Sequence, residues 1–138
     1  MVDKPKLDQM LSNLRRFLAV LQNLAVVPRQ AFLANPDMVG NAKYHLVIAI
    51  ECCIDIANHI IASENYRFPR DNADSFAVLV EQAVLPGESR QPLRAMARFR
   101  NRLIHLYWDV DDAKVHEYLR DSLGDIERFG NAIARREW

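Results

Sequence analysis

At 138 residues, half of them apolar, the chain is long enough to build one domain with its own core and no stapling metal or disulfide. Eighteen basic residues balance eighteen acidic ones, which excludes a polybasic nucleic-acid coat but allows a local basic patch. Four glycines are too few for a turn-rich β protein or a glycine-loop nucleotide binder.

The segment Met1-Val-Asp-Lys-Pro-Lys carries three charges and lacks the apolar stretch of a secretory signal. No unbroken apolar run exceeds five residues; that from Leu46 to Ile50 stops at Glu51, too short for a membrane span. Cys52 and Cys53 are adjacent and have no other cysteine to pair with. A reduced cytoplasmic protein with no membrane association is therefore expected.

In chain order, Leu7, Met10, Leu11, Leu14, Phe17, Leu18 and Leu21 recur at three- and four-residue spacing, which predicts a helix from Lys6 to about Val26. Pro28 ends it, and Arg29 to Leu33 can form one short turn. Asn35-Pro36 reads as a cap with proline in the first turn of a long helix running to about Ser63. Asn65 to Asn72 is a predicted loop, and Asp74 to Leu85 a short helix closed by Pro86-Gly87. A fourth long helix is expected from Gln91 to Tyr107, and a last one from Asp112 to Arg136 after the acidic turn Asp109–Asp112. No segment alternates with period two. The expected fold is all-α: a single domain over residues 1–138, built as an antiparallel bundle of four to five helices.

On a wheel of about 100° per residue, Leu93, Met96, Ala97, Leu103, Ile104 and Tyr107 share one side of the Gln91–Tyr107 helix, with Arg100 in their midst. A guanidinium stays ionised, so there it needs a carboxylate or a polar cavity. The long helix offers both Glu51 and Asp55, which with His59 recur every four residues as a polar stripe on an apolar segment. A buried ion pair that only fixes helix register is the plain structural alternative.

Arg100 belongs to a longer pattern: Met96-Ala-Arg-Phe-Arg-Asn-Arg-Leu-Ile-His105-Leu-Tyr107, followed by Trp-Asp-Val-Asp. This R-x4-H-x-Y string, with the Ile48-Ala-Ile-Glu-Cys-Cys-Ile-Asp-Ile-Ala-Asn-His-Ile60 helix and the helix order, resembles the HepT-like branch of the HEPN superfamily. The resemblance covers most of the chain. It implies a metal-independent endoribonuclease toxin of a toxin–antitoxin pair, acting as a homodimer that joins two R-x4-H segments. Arg100 and His105 match the catalytic pair and Asn101 the assisting polar residue. Asp55, with Glu51 beside it, matches a supporting position. Tyr107 matches the tyrosine that a nucleotidyltransferase antitoxin of the MntA kind modifies with AMP.

The chemistry suits those residue types. RNA carries its own nucleophile, the 2′-hydroxyl beside the scissile phosphate. An imidazole titrating near pH ~6.5 can move the protons, as His105 is expected to do. The fork of Arg100 can hold the charge that grows on phosphorus. The expected products are a 2′,3′-cyclic phosphate and a 5′-hydroxyl. Arg94, Arg98 and Arg102, with Arg90, form a basic strip in which Glu88 is the only acid before His105, and RNA backbone contact is expected there.

One geometric difficulty remains in the pattern. Residues five apart on a regular helix point about 140° away from each other, so Arg100 and His105 do not converge by helical phase. Either the helix loses regularity near His105, or a second subunit completes the site at a two-fold axis; the second is expected. Cys52 and Cys53 read as packing residues, His59 as a hydrogen-bonded interior histidine, and His45 and His116 as surface or boundary residues. No metal-ligand spacing and no cofactor motif is present, so neither is expected. The rival reading is a non-catalytic dimer of the same fold that serves as a docking subunit for a nucleotidyltransferase.

Overall fold

Four short polar side chains set where helices begin. In a computed structural model describing residues 1–138, the chain forms α1 (Lys4–Ala25), α2 (Arg29–Leu33), α3 (Pro36–Ser63), α4 (Asn72–Glu81), α5 (Arg90–His105), α6 (Asp112–Asp121) and α7 (Leu123–Arg135), with no strand. Asp3, Asn35, Asp71 and Asp111 each accept a hydrogen bond from a first-turn amide, at 3.1, 3.1, 2.7 and 2.9 Å. Each bond satisfies a donor that the first turn of a helix leaves free.

α3 is the central element and touches all six other helices. Its pairing with α1 is antiparallel. The Met1 amine donates to the Ser63 carbonyl at 2.5 Å, the Cys52 thiol to the Met10 carbonyl at 3.4 Å, and the Phe17 and His45 rings lie 6.4 Å apart. As numbers rise along one helix they fall along the other. Leu7, Leu11, Leu14, Leu18 and Leu21 of α1 meet Leu46, Ile50, Ile56 and Ile60 of α3 in one continuous apolar core. Each such side chain adds about 1.5–3 kcal/mol when fully buried. By length and composition α3 is apolar enough to cross a membrane, which a count of unbroken apolar residues does not reveal; more than half of its most apolar stretch is buried by the other helices.

Three predicted boundaries shift, each for a local reason. α4 stops at Glu81, not Leu85, because Ala83 turns to a left-handed φ of 57° and the Val84 amide reaches back to the Leu79 carbonyl at 2.9 Å. The expected last helix is two helices, α6 and α7. Ser122 breaks the ladder with φ −123°, ψ −3°, beside Gly124, the kind of small-residue pair at which helices bend. α5 ends at His105, not Tyr107, because Leu106 adopts φ −127°, ψ 39°. The bundle therefore has seven α-helices rather than four or five, through subdivision rather than a change of class.

The loop from Asn65 to Asp71 is tied to α4 by one guanidinium. Arg67 donates through Nη1 and Nη2 to Asp74 at 2.8 and 3.0 Å, and through Nε and Nη2 to Glu81 at 2.8 Å each. The Arg70 amide adds a bond to Asp74 at 2.8 Å. These contacts, Arg67 first, hold the Asp74 carboxyl well below the usual carboxylate range. A carboxylate so depressed contributes stability that is full above its unfolded pKa and fades as pH falls below it. Asp74→Asn is accordingly expected to lower the melting temperature at pH 7, with the gap to wild type narrowing below about pH 4. Thermal denaturation across pH checks this, and a gap unchanged by pH would mean the clamp is not ionic.

Candidate active site

Leu93, Met96, Ala97 and Leu103 turn the apolar side of α5 into the core, and the same helical phase carries Arg100 toward α3. Its side chain is 17% exposed. Nη2 donates to Glu51 Oε1 on α3, and Nη1 to Asn101 Oδ1 at 3.0 Å. The Nε donor is buried and meets no acceptor within the chain. Of the two carboxylates the sequence offers, Glu51 takes the guanidinium.

Asp55 stands one turn further along α3, exposed and in no ion pair. Desolvation, and then the charge of Glu51, push its carboxyl up, while Arg100 opposes the shift. A proton is thus held more readily there than on an ordinary aspartate. His59, a further turn on, is half-buried with its Nε2 unpaired, so the hydrogen-bonded interior histidine expected there is not found.

His105 is the last residue of α5 and is exposed to solvent. The helix does break at this point, but only after His105, so the imidazole keeps its helical phase about 140° from Arg100. Within one chain the two do not converge on one point. What the break redirects is Tyr107. It leaves the α-helix in a tight 3-10 turn, 48% exposed, and Ile104 is 39% exposed, so neither is the core residue that the wheel predicts. With Leu106 and Trp108 they make a short strip of large apolar side chains open to water.

Lys43 of α3 meets Tyr107 from behind, and sequence reasoning missed it. Its ammonium lies 4.5 Å from the centre of the Tyr107 ring and 3.1 Å from Asp112 Oδ1, with the residue only 8% exposed. Cation and ring attract through the quadrupole of the phenol, so the tyrosine is held by its face with its edge free. The signal was present: Lys43 interrupts the apolar stripe Val39, Leu46, Ile50 as Arg100 interrupts that of α5.

Arg94 and Arg98 line an open groove of about 700 Å³ between α5 and the start of α4, together with Arg90 and Asn101. Arg102 lies elsewhere, in a shallow depression with Lys114, Glu117 and Asp121. The predicted basic strip is therefore split in two.

The remaining singled-out residues are structural. His116 is buried, not at the boundary: its Nε2 lies 3.1 Å from the Val27 carbonyl oxygen and its ring packs on Phe32 at 5.3 Å. His45 is half-buried, with Nδ1 3.1 Å from the Asn41 carbonyl oxygen. Burial, and then Asp55, push the Cys52 thiol up to about 11, and burial also pushes the Cys53 thiol well above its ordinary value, so neither supplies a thiolate at neutral pH. No three His, Cys, Asp or Glu side chains gather closely enough to hold a metal ion.

Residues 7–133 match the protein family described as ribonuclease HepT-like. The mRNA nuclease HepT of Shewanella oneidensis is 31% identical over 83 residues, covering 60% of this chain and 62% of that relative, less than two thirds of its length. The tri-AMPylated Shewanella oneidensis HEPN toxin, solved in complex with MNT antitoxin, superposes with a TM-score of 0.87 at 24% identity over 99% of this chain and 100% of that one. YutE from Bacillus subtilis, a cytosolic protein of unknown function, gives 0.84 at 20% identity over 96% of this chain and 89% of its own. At those identities the two structures establish the shared all-α fold.

Proposed function

Because the chain belongs to the ribonuclease HepT-like family, we propose that it is a cytoplasmic endoribonuclease toxin of a toxin–antitoxin module, working as a homodimer. The observation that carries this reading is a fixed, counter-charged guanidinium five residues from a free imidazole: Arg100 bound by Glu51 and Asn101, His105 open to water. A stabilising ion pair explains the first of these groups and leaves the second idle.

In the proposed reaction the RNA 2′-hydroxyl attacks the adjacent phosphorus. His105 takes its proton or returns one to the leaving 5′-oxygen. Arg100, held in place by Glu51 and Asn101, presents donors to the phosphoryl oxygens as their charge grows. The products are a 2′,3′-cyclic phosphate and a 5′-hydroxyl, and no metal takes part. Asp55 supports the site from α3 as a polar neighbour. Since Arg100 and His105 diverge within one chain, the site is assigned to two subunits, each giving one group to a shared cleft. The exposed strip Ile104, Leu106, Tyr107 and Trp108 supports an interface beside it, for such a strip is rarely left in water without a partner.

Control is assigned to Tyr107. A nucleotidyltransferase antitoxin holding ATP is proposed to present the α-phosphate to the phenol oxygen, with pyrophosphate leaving. The AMP-tyrosine then places an anion where the RNA phosphate binds and competes for Arg100. Tyr107→Phe is expected to lose the mass increment of AMP on co-expression with that antitoxin and to stay toxic. Intact-protein mass spectrometry reads this; a neutralised Tyr107→Phe toxin would assign inhibition to binding alone.

A further inference from the structure

The groove between α4 and α5 has three features that the cleavage chemistry does not use. It is basic: Arg70, Arg90, Arg94 and Arg98 line it, against Asp71 and Asp74. Both acids are engaged, Asp71 as the cap of α4 and Asp74 by Arg67, the Arg70 amide and, at 3.5 Å, the Nε of Arg70, whose side chain is otherwise open to water. Arg90, Arg94 and Arg98 have no carboxylate partner. Their four-residue spacing sets successive guanidinium groups about 6 Å apart along the axis, a repeat suited to the phosphates of an extended strand.

The groove also points at the proposed chemistry. On a wheel of about 100° per residue, positions 90, 94, 98, 101 and 105 of α5 fall within about 80° of one another, so the arginine row continues to His105, about 22 Å from Arg90. Asn101 joins both regions, lining the groove while accepting from Arg100.

The loop that leads into this groove carries a bare aromatic ring. Phe68 is 94% exposed, two residues from Arg70, on the loop that Arg67 fastens to Asp74 and Glu81. The loop is held firmly: its Tyr66 packs against the core, while Phe68 is held outward. A basic channel with an aromatic platform is the combination that binds single-stranded nucleic acid: cations follow the backbone and the ring stacks a base. A duplex, whose bases are already stacked, offers such a ring nothing. A protein partner would need an apolar centre ringed by polar groups, whereas here a lone ring flanks a charged channel.

We propose that this groove is a single-stranded RNA track, in which Arg70, Arg90, Arg94 and Arg98 hold phosphates and Phe68 stacks a base, leading the strand to His105. The proposal rests on the ribonuclease reading for its ligand. It places substrate selection in unpaired RNA and gives the loop from Asn65 to Asp71 a binding role.

Fluorescence anisotropy with a labelled, fully 2′-O-methylated oligouridine of about twelve nucleotides tests it, since that probe lacks the nucleophile and cannot be cut. Phe68→Ala is expected to weaken binding about tenfold with no change in salt dependence. Arg94→Gln is expected to weaken it and to lower the slope of log affinity against log salt by about 1. Both side chains are exposed, so circular dichroism should show an unchanged fold. Variants that bind like wild type overturn the proposal. So does a Phe68→Ala protein that keeps its RNA affinity and loses the antitoxin instead. Wild type that binds the probe through Phe68 and Arg94 but never cuts unmodified RNA supports the track and removes the ribonuclease reading. Wild type that cuts, with binding indifferent to both substitutions, does the reverse.

Discussion

His105→Ala is expected to abolish toxicity and slow RNA cleavage by about 10²–10⁴-fold, the usual contribution of a positioned general acid or base. The melting temperature should scarcely move, because the imidazole is exposed at the end of α5 and supports nothing in the core. Single-turnover cleavage of a labelled RNA, with thermal denaturation of the same samples, measures both. Full cleavage by the variant would remove His105 from the chemistry, whereas a wild type that does not cut would leave the docking-subunit reading of this fold in possession.

Arg100 is expected to behave differently, since it serves both the fold and the site. Arg100→Ala should lose about 10²–10³-fold in cleavage, as when one donor to a developing oxyanion is removed. It should also lose about 2 kcal/mol of stability with the charged hydrogen bonds to Glu51 and Asn101. The loss stays moderate because Glu51, 41% exposed, can turn to water. Arg100→Lys separates the two roles. It keeps a cation for Glu51 but lacks the planar fork, so stability should largely return while cleavage stays low. Recovery of both together would make charge, rather than fork geometry, the active ingredient.

The helical class and the long elements were legible because apolar spacing and capping residues are local signals. Asn35-Pro36 and Ser63 bound α3 as expected, and the polar residues from Asn65 to Asn72 leave only the last of them to α4. The ends that moved were decided by backbone geometry without a strong residue signal: an alanine at positive φ after α4, and Ser122 before Gly124. Tyr107 was misjudged because a wheel assumes that the helix continues, and Leu106 ends it; Ile104 keeps its place on α5 and is exposed all the same.

The site was legible in part. An arginine on an apolar face had to find a carboxylate, and which of Glu51 and Asp55 it chose depended on the packing of α3 against α5. Lys43 behind Tyr107 went unread, although it breaks its stripe in the same way. The arginine row could be counted in the sequence. Its division, with Arg102 apart and Arg70 arriving from another segment, needed the placement of α4 beside α5.

One phosphate is proposed to meet Arg100 of one subunit and His105 of the other. Mixing two inactive proteins, Arg100→Ala and His105→Ala, under conditions where subunits exchange decides it. A shared site leaves each mixed dimer one intact cleft, so cleavage should reappear in the mixture although neither variant cuts alone. If dimers exchange and the mixture stays inactive, each site lies within a single chain and the composite account is contradicted.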